Sequence, residues 1–280
     1  MSIADERFAV SSWSLHRRLG VMHPHDLDSE QVGTAEPAWG TGEITLLDLP
    51  AEVAANGISR LEICSFHLPS RDDAYLSELK AALSANGVRL QTLLIEAGDL
   101  SDPRTAMRDS AWISGWVEVA YRLGAENARI IAGKQKPTRE ALDLSARGLK
   151  EIARRNAGSP VNLVTENWFD LLPAPEQVHE LLEKTDGLIG LNGDFGNWVG
   201  TEKYDSLYRI FGLASLCHAK ATFAGGTMDR EDYGRCIDVA EAAGYAGPYT
   251  LIFDSDEPGE WEGVSIERAF IRDRLNASRP

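Results

Sequence analysis

Short apolar runs alternate with longer amphipathic stretches along this 280-residue chain. Runs of aliphatic and β-branched residues bounded by glycine or polar residues read as buried strands. The stretches between them space apolar residues three and four apart and stop at glycine, as helices packed by one face do. Phe8–Ser14 (FAVSSWS) is the first predicted strand, followed by a long polar loop with Gly and His to about Gly42. Helix Leu46–Asn56 then leads to strand Ser59–Cys64 (SRLEIC), and helix Asp73–Asn86 to strand Val88–Ile95 (VRLQTLLI). Arg104–Leu123 leads to Ala128–Ala132 (ARIIA), and a helix from Thr138 to about Ala157 leads to Val161–Glu166 (VNLVTE). Pro175–Thr185 precedes Leu188–Asp194 (LIGLNGD), Glu202–Phe211 precedes Leu213–Lys220 (LASLCHAK), and Asp229–Ala243 precedes Tyr249–Asp254 (YTLIFD). Val264–Leu275 is the last helix. Eight strand–helix units, with no linker or low-complexity tract between them, predict one α/β domain over residues 1–280, a single (β/α)8 TIM barrel.

Chemistry in such barrels sits at the C-terminal strand ends. Three successive predicted strands carry Glu166, Asp194 and His218 there. Two carboxylates and an imidazole converging on one point suit Mn²⁺, Mg²⁺, Co²⁺ or Zn²⁺, with positions left open for a substrate. Each residue alone has an ordinary reading. Glu166 is a polar strand end, Asp194 part of the turn sequence Gly193–Asn197 (GDFGN), and His218 a satisfied core histidine. Their common placement favours a site. His67 and Glu96 follow the second and third strands at the same end, where each could bind a substrate hydroxyl, extend a metal site or be an ordinary loop residue. His16, His23 and His25 lie in the first loop, long enough for a lid. Trp13, Trp39, Trp168, Trp198 and Trp261 fall near strand ends or in loops, where aromatic walls hold sugar faces and exclude water. Cys217 should point to the helical layer, because successive strand residues face opposite ways.

Composition narrows the choice. A net charge of −15 argues against a nucleic-acid partner. No run approaches the roughly 20 apolar residues of a membrane span. The opening MSIADERF lacks the basic and apolar parts of a secretory signal, and Cys64, Cys217 and Cys236 show no paired spacing. A cytoplasmic protein with reduced, buried thiols is expected. The glycines of Gly187–Gly196 do not form a nucleotide-binding G-x-G-x-x-G.

The ordered set TEN (165–167), GDFGN (193–197) and HAK (218–220), with GYAGPYTLIFD (244–254) behind it, resembles the xylose isomerase-like barrel superfamily of sugar isomerases and epimerases. In layout the resemblance spans nearly the whole chain. It implies that Glu166, Asp194 and His218 bind a divalent metal and that Lys220 works near substrate oxygens. The glutamate expected on strand eight falls on Ile252, a departure from the pattern. Asp254, two residues on and facing the same side, is the substitute fourth ligand. The resemblance implies an isomerase or epimerase acting beside the carbonyl of a small keto-sugar or polyol derivative, with Glu166 as base and Lys220 supporting the enediolate. Substrate contacts are expected from His67, Glu96, Trp13, Trp168 and Asn197. A lyase or dehydratase on a keto-inositol or 3-keto-glycoside and a metal-free sugar-binding barrel stay open, as does assembly into a homo-oligomer. An endonuclease IV-like site would need more strand-end histidines than this chain has.

Overall fold

The computed structural model describes residues 7–29 and 31–277. Seven strands, β1 (Phe8–Ser11), β2 (Arg60–Cys64), β3 (Arg89–Ile95), β4 (Asn127–Ile130), β5 (Asn162–Glu166), β6 (Gly190–Asp194) and β7 (Ala214–Lys220), are followed by a hairpin, β8 (Phe223–Ala224) and β9 (Thr227–Met228). Strand β10 (Tyr249–Ile252) closes the barrel by pairing with β7 on one side and β1 on the other. Every barrel pairing is parallel, down to the seam that sets Phe8 opposite Tyr249. The expected TIM barrel is therefore present. Helices α1 (His16–Leu19), α2 (Leu49–Ala55), α3 (Asp73–Ala85), α4 (Ala106–Leu123), α5 (Arg139–Arg155), α6 (Pro175–Lys184), α7 (Lys203–Phe211), α8 (Arg230–Ala242) and α9 (Glu260–Ala277) complete the order.

Local chemistry explains these boundaries. In α5 the Thr138 hydroxyl caps the first turn by accepting from Ala141 N, and Leu142, Ala146, Leu149 and Ile152 form its buried stripe. Strand β1 is shorter than the apolar run suggested, because its serines redirect the backbone. Ser11 Oγ accepts from Trp13 N, Ser12 Oγ from Cys64 N, and Ser14 Oγ donates to the Leu251 carbonyl while accepting from Phe253 N. Residues 12–15 consequently form a tight 3₁₀ turn.

Register positions the site. Asp194 pairs directly with His218 across β6 and β7, after a shift of register at Leu191/Asn192, and Glu166 pairs with Asn192. Gly193 permits this, since a Cβ there would lie 2.7 Å from the Phe211 ring of α7. Strand β6 can approach the helical layer at that point only without a side chain. Cys217 is fully buried, beside His218 in sequence but on the alternate face, and all three cysteines are free.

The first loop folds back over the C-terminal strand ends of the barrel. Isolated bridges join Met22 to Glu36 and His25 to Val32, and His25 Nε2 lies 2.7 Å from Ser65 Oγ. His25 packs against the rings of both Trp112 and Trp116, and burial pulls its pKa down to about 4. The Glu260 carboxylate accepts from Arg17 N and Arg18 N at the start of α1, tying the first loop to α9. No described helix is long and apolar enough to cross a membrane.

Glu267 on α9 is fully buried. One oxygen accepts from Ala221 N at 3.3 Å and the other has no partner. Burial pushes its carboxyl well above the ordinary 4.5, so the folded chain keeps a proton that the unfolded chain releases. Native stability from this group is complete below pH 4.5 and falls as pH rises toward the raised native value. Glu267→Gln removes the titration, so the variant should gain on the wild type with rising pH above 4.5, by at most about 1.4 kcal/mol per pH unit. Urea unfolding between about pH 5 and 8 measures this, and a pH-independent difference contradicts it.

Candidate active site

Three of the strand-end residues converge. One donor atom from each of Glu166, Asp194 and His218 lies within 4.8 Å of the others, and all three side chains are buried. His218 Nδ1 stands 3.4 Å from Glu166 Oε2 and 3.6 Å from Asp194 Oδ2. A cation bonded at about 2.0–2.2 Å to each donor spaces them about 3–3.5 Å apart, so the cluster is near the size of a divalent-metal site. Asp194 serves both of its readings at once. Its Oδ1 accepts from Gly196 N and Asn197 N at 2.5 and 2.8 Å, forming the turn, while Oδ2 faces His218. Asn167 Oδ1 accepts from Asp194 N at 2.7 Å, fixing the strand end. Glu166 divides its oxygens likewise: Oε1 accepts from Asn197 Nδ2 at 2.7 Å and Oε2 faces the cluster.

The decisive neighbour is Glu62 on β2. His218 Nε2 donates to its Oε2 at 2.9 Å, while Gln91 Nε2 and Thr92 Oγ1 donate to Oε1 at 2.9 and 2.8 Å. This fixes the ring and leaves Nδ1 aimed at the two carboxylates. Burial alone would strip the proton from His218, but Glu166 and Glu62 overcome it and hold the imidazole well above 6.5. Glu166 shows the converse: burial opposes its charge, yet His218 and then Arg129 hold its carboxyl well below the ordinary range. A proton on Nδ1 thus sits where a divalent cation would add its charge. The donor set fits such an ion, since two hard oxygens and one oriented imidazole nitrogen share a pocket of excess negative charge.

Arg129 on β4 is the other group beyond the sequence prediction. Its buried guanidinium donates to Glu96 Oε1 at 2.5 Å, places Nε 3.2 Å from Glu166 Oε2, and lies 5.0 Å from the Trp168 ring. Nε is misaligned for a hydrogen bond and Nη1 has no partner. Both Glu62 and Arg129 are charged residues inside apolar strand runs (SRLEIC, ARIIA), and that interruption is the signal that could have found them.

A cavity of about 420 Å³ opens above the cluster. Trp13, Glu96, Trp168, Asn197, Lys220 and Ile252 are among its walls, with Arg129 and the cluster itself. Lys220 Nζ donates to Asp254 Oδ2 at 2.6 Å, so Asp254 faces Lys220 and is not part of the donor cluster. Ile252 is buried and apolar where a further carboxylate would stand. His67 does not line this cavity. It is buried against Trp39 and Phe66 with Nδ1 2.9 Å from Ser12 Oγ, and burial lowers its pKa to about 3. Trp39 packs on Trp13 and His16, Trp198 Nε1 donates to the Leu172 carbonyl, and Trp261 Nε1 donates to Glu52.

A family model described as xylose isomerase-like TIM barrel matches residues 50–274. The chain belongs to this family. By sequence alone no curated protein matches it. Among solved structures, a xylose isomerase-like TIM barrel protein from Mycobacterium smegmatis in complex with magnesium is 17% identical, with 98% of this chain and 100% of that one covered and a TM-score of 0.68. D-psicose 3-epimerase with D-tagatose from Clostridium cellulolyticum H10 is 14% identical over 98% of each chain, TM-score 0.66. The 3-keto-D-glucoside 4-epimerase of E. coli is 15% identical over 83% of this chain and 94% of that one, TM-score 0.62. At these identities the likeness is one of fold, and the chain shares the xylose isomerase-like barrel with sugar epimerases.

Two measurements test the cluster. Because a cation bound by this cluster would have to displace the His218 proton, Mn²⁺ affinity by calorimetry should rise with pH from about 6 to 8. Glu62→Gln should weaken Mn²⁺ binding about 10–100-fold at fixed pH. PH-independent affinity, or an unchanged Glu62→Gln variant, would remove His218 from the ligand set.

Proposed function

We propose that this barrel is a divalent-metal enzyme that moves a proton on the carbon beside a carbonyl of a small keto-sugar or polyol derivative, as an isomerase or epimerase. The observation that carries this reading is the convergence of Glu166, Asp194 and the Glu62-oriented His218 under the cavity. The ion, Mn²⁺, Mg²⁺, Co²⁺ or Zn²⁺, would be held by these three and would polarise the substrate carbonyl and its neighbouring hydroxyl. Glu166, kept ionised by its neighbours, is the group that takes the carbon-bound proton. Asn197 holds the other Glu166 oxygen and so fixes the direction of approach. Lys220 presents a charged ammonium near the developing oxyanion, with Asp254 orienting it rather than binding metal. Arg129 Nη1, unpaired and buried in the wall, adds a donor for a substrate oxygen. Trp13, Trp168 and Glu96 complete the enclosure, and a small sugar is the expected partner in a cytoplasmic setting.

One observation favours a second reading. Ile252 leaves β10 itself without an acid, and Asp254, which follows it in the cavity wall, is tied to Lys220, so no free carboxyl on that side is placed to return a proton to the opposite face of the carbon. Elimination of water or of a glycosidic group from a keto-inositol or 3-keto-glycoside needs the base and the metal but no second glutamate.

The test follows solvent deuterium entering a ketose panel by NMR, after chelation and after readdition of each metal. Exchange should require metal, and Glu166→Gln should slow it at least about a hundredfold with the fold intact by circular dichroism. Absence of exchange with every metal and ketose counts against the isomerase reading. Release of water or of an aglycone identifies the lyase instead.

A further inference from the structure

Beside the catalytic cavity lies a second one of about 600 Å³, between the β5–α6 and β6–α7 loops. Trp168 and Asn197 are walls of both cavities, and Asn197 is the residue bonded to Glu166. The Phe169 ring stacks on Trp168 with centroids 4.1 Å apart, and Phe169 adopts a φ of 57°, a region bulky residues rarely enter. On the other lip Val199 is 85% exposed. Neither side chain fills the core. Both hold apolar surface at the rim of the catalytic end, in walls continuous with the reacting site.

The catalytic cavity of about 420 Å³ already has the size of a single-ligand pocket. A free monosaccharide would leave the neighbouring space without a role. We propose that the second cavity binds a neutral substituent of the substrate, an O-glycosyl or aryl group, so that the substrate class is a substituted keto-sugar rather than a free one. This rests on the sugar-ketone reading above. Trp168, Phe169 and the exposed Val199 line this cavity and offer apolar contact to a sugar or aryl ring, and Asp170, Glu202 and Ser206 offer partners for its hydroxyls. Two carboxylates in the lining, Asp170 and Glu202, select against a phosphate. Lys203, a cation in the lining, is already held by both oxygens of Asp232 at 2.7 and 2.8 Å. Lys134 lies over the Phe169 ring, 5.3 Å from its centroid.

The experiment compares D-fructose with 6-O-glucosyl-D-fructose and 4-O-galactosyl-D-fructose on the Mn²⁺-loaded protein, reading kcat/KM for deuterium exchange beside the carbonyl. At least one substituted ketose should be favoured about tenfold or more, and Phe169→Ala and Val199→Asp should each cut that ratio several-fold. Val199→Asp stands alone if Phe169→Ala fails to fold, since Val199 is 85% exposed. A ratio near one, or a preference unmoved by Val199→Asp, overturns the subsite even though exchange occurs. If no ketose exchanges, the sugar-ketone reading fails and calorimetric binding decides the subsite. Phenyl β-D-glucoside binding about tenfold more tightly than D-glucose, with the difference lost in Val199→Asp, supports the subsite. Equal affinities overturn it.

Discussion

The hydrogen bond from His218 Nε2 to Glu62 organises the C-terminal strand ends of this barrel. Burial by itself would leave His218 a neutral ring of either tautomer. With Glu62 fixed from below by Gln91 and Thr92, only Nδ1 remains to meet Glu166 and Asp194. Gln91 also donates to Thr250, so the support reaches from β2 and β3 across to β10. The barrel interior under the cluster is therefore a polar network that transmits strand positions to ligand orientation. Its members are satisfied mainly by one another, which is what makes so many buried polar groups tolerable.

Electrostatic balance explains why the site is poised for a cation. Glu62, Glu96, Glu166, Asp194 and Asp254 surround Arg129, Lys220 and one imidazole. Arg129 is committed to Glu96 and Glu166, and Lys220 to Asp254. Asp194 and Glu62 are left to His218, and protonating a single ring is the available compensation without metal. A divalent ion held by Glu166, Asp194 and His218 would supply the same charge with better directionality, and the proton it would displace would link metal loading to pH.

Much of this was legible in sequence because it depends on local rules. Apolar runs ending in Glu166, Asp194 and His218 identified both the strands and the face that matters. The register that sets Asp194 beside His218 was not legible, since it arises from a shift at Leu191/Asn192. Glu62 and Arg129 escaped for a related reason: their partners lie far off in sequence, His218 being 156 residues from Glu62, and Glu96 after β3 and Glu166 on β5 flanking the guanidinium on either side of β4. The expected extent of β1 was too long because hydroxyl side chains compete for backbone partners, a contest that hydropathy does not record. Asp254 shows the limit of counting residues along a strand. It faces the expected side, yet Lys220 lies 2.6 Å away and engages it first.

The β1–β10 seam has a kinetic consequence. Phe8 leaves the ribosome some 240 residues before Tyr249, its neighbour across the seam. Until then β1 has one bare flank, and the Arg17–Asp256 and Glu260 clasps above it are missing too. Closure is thus a late, long-range event that slows maturation and leaves the nascent barrel exposed to misassociation.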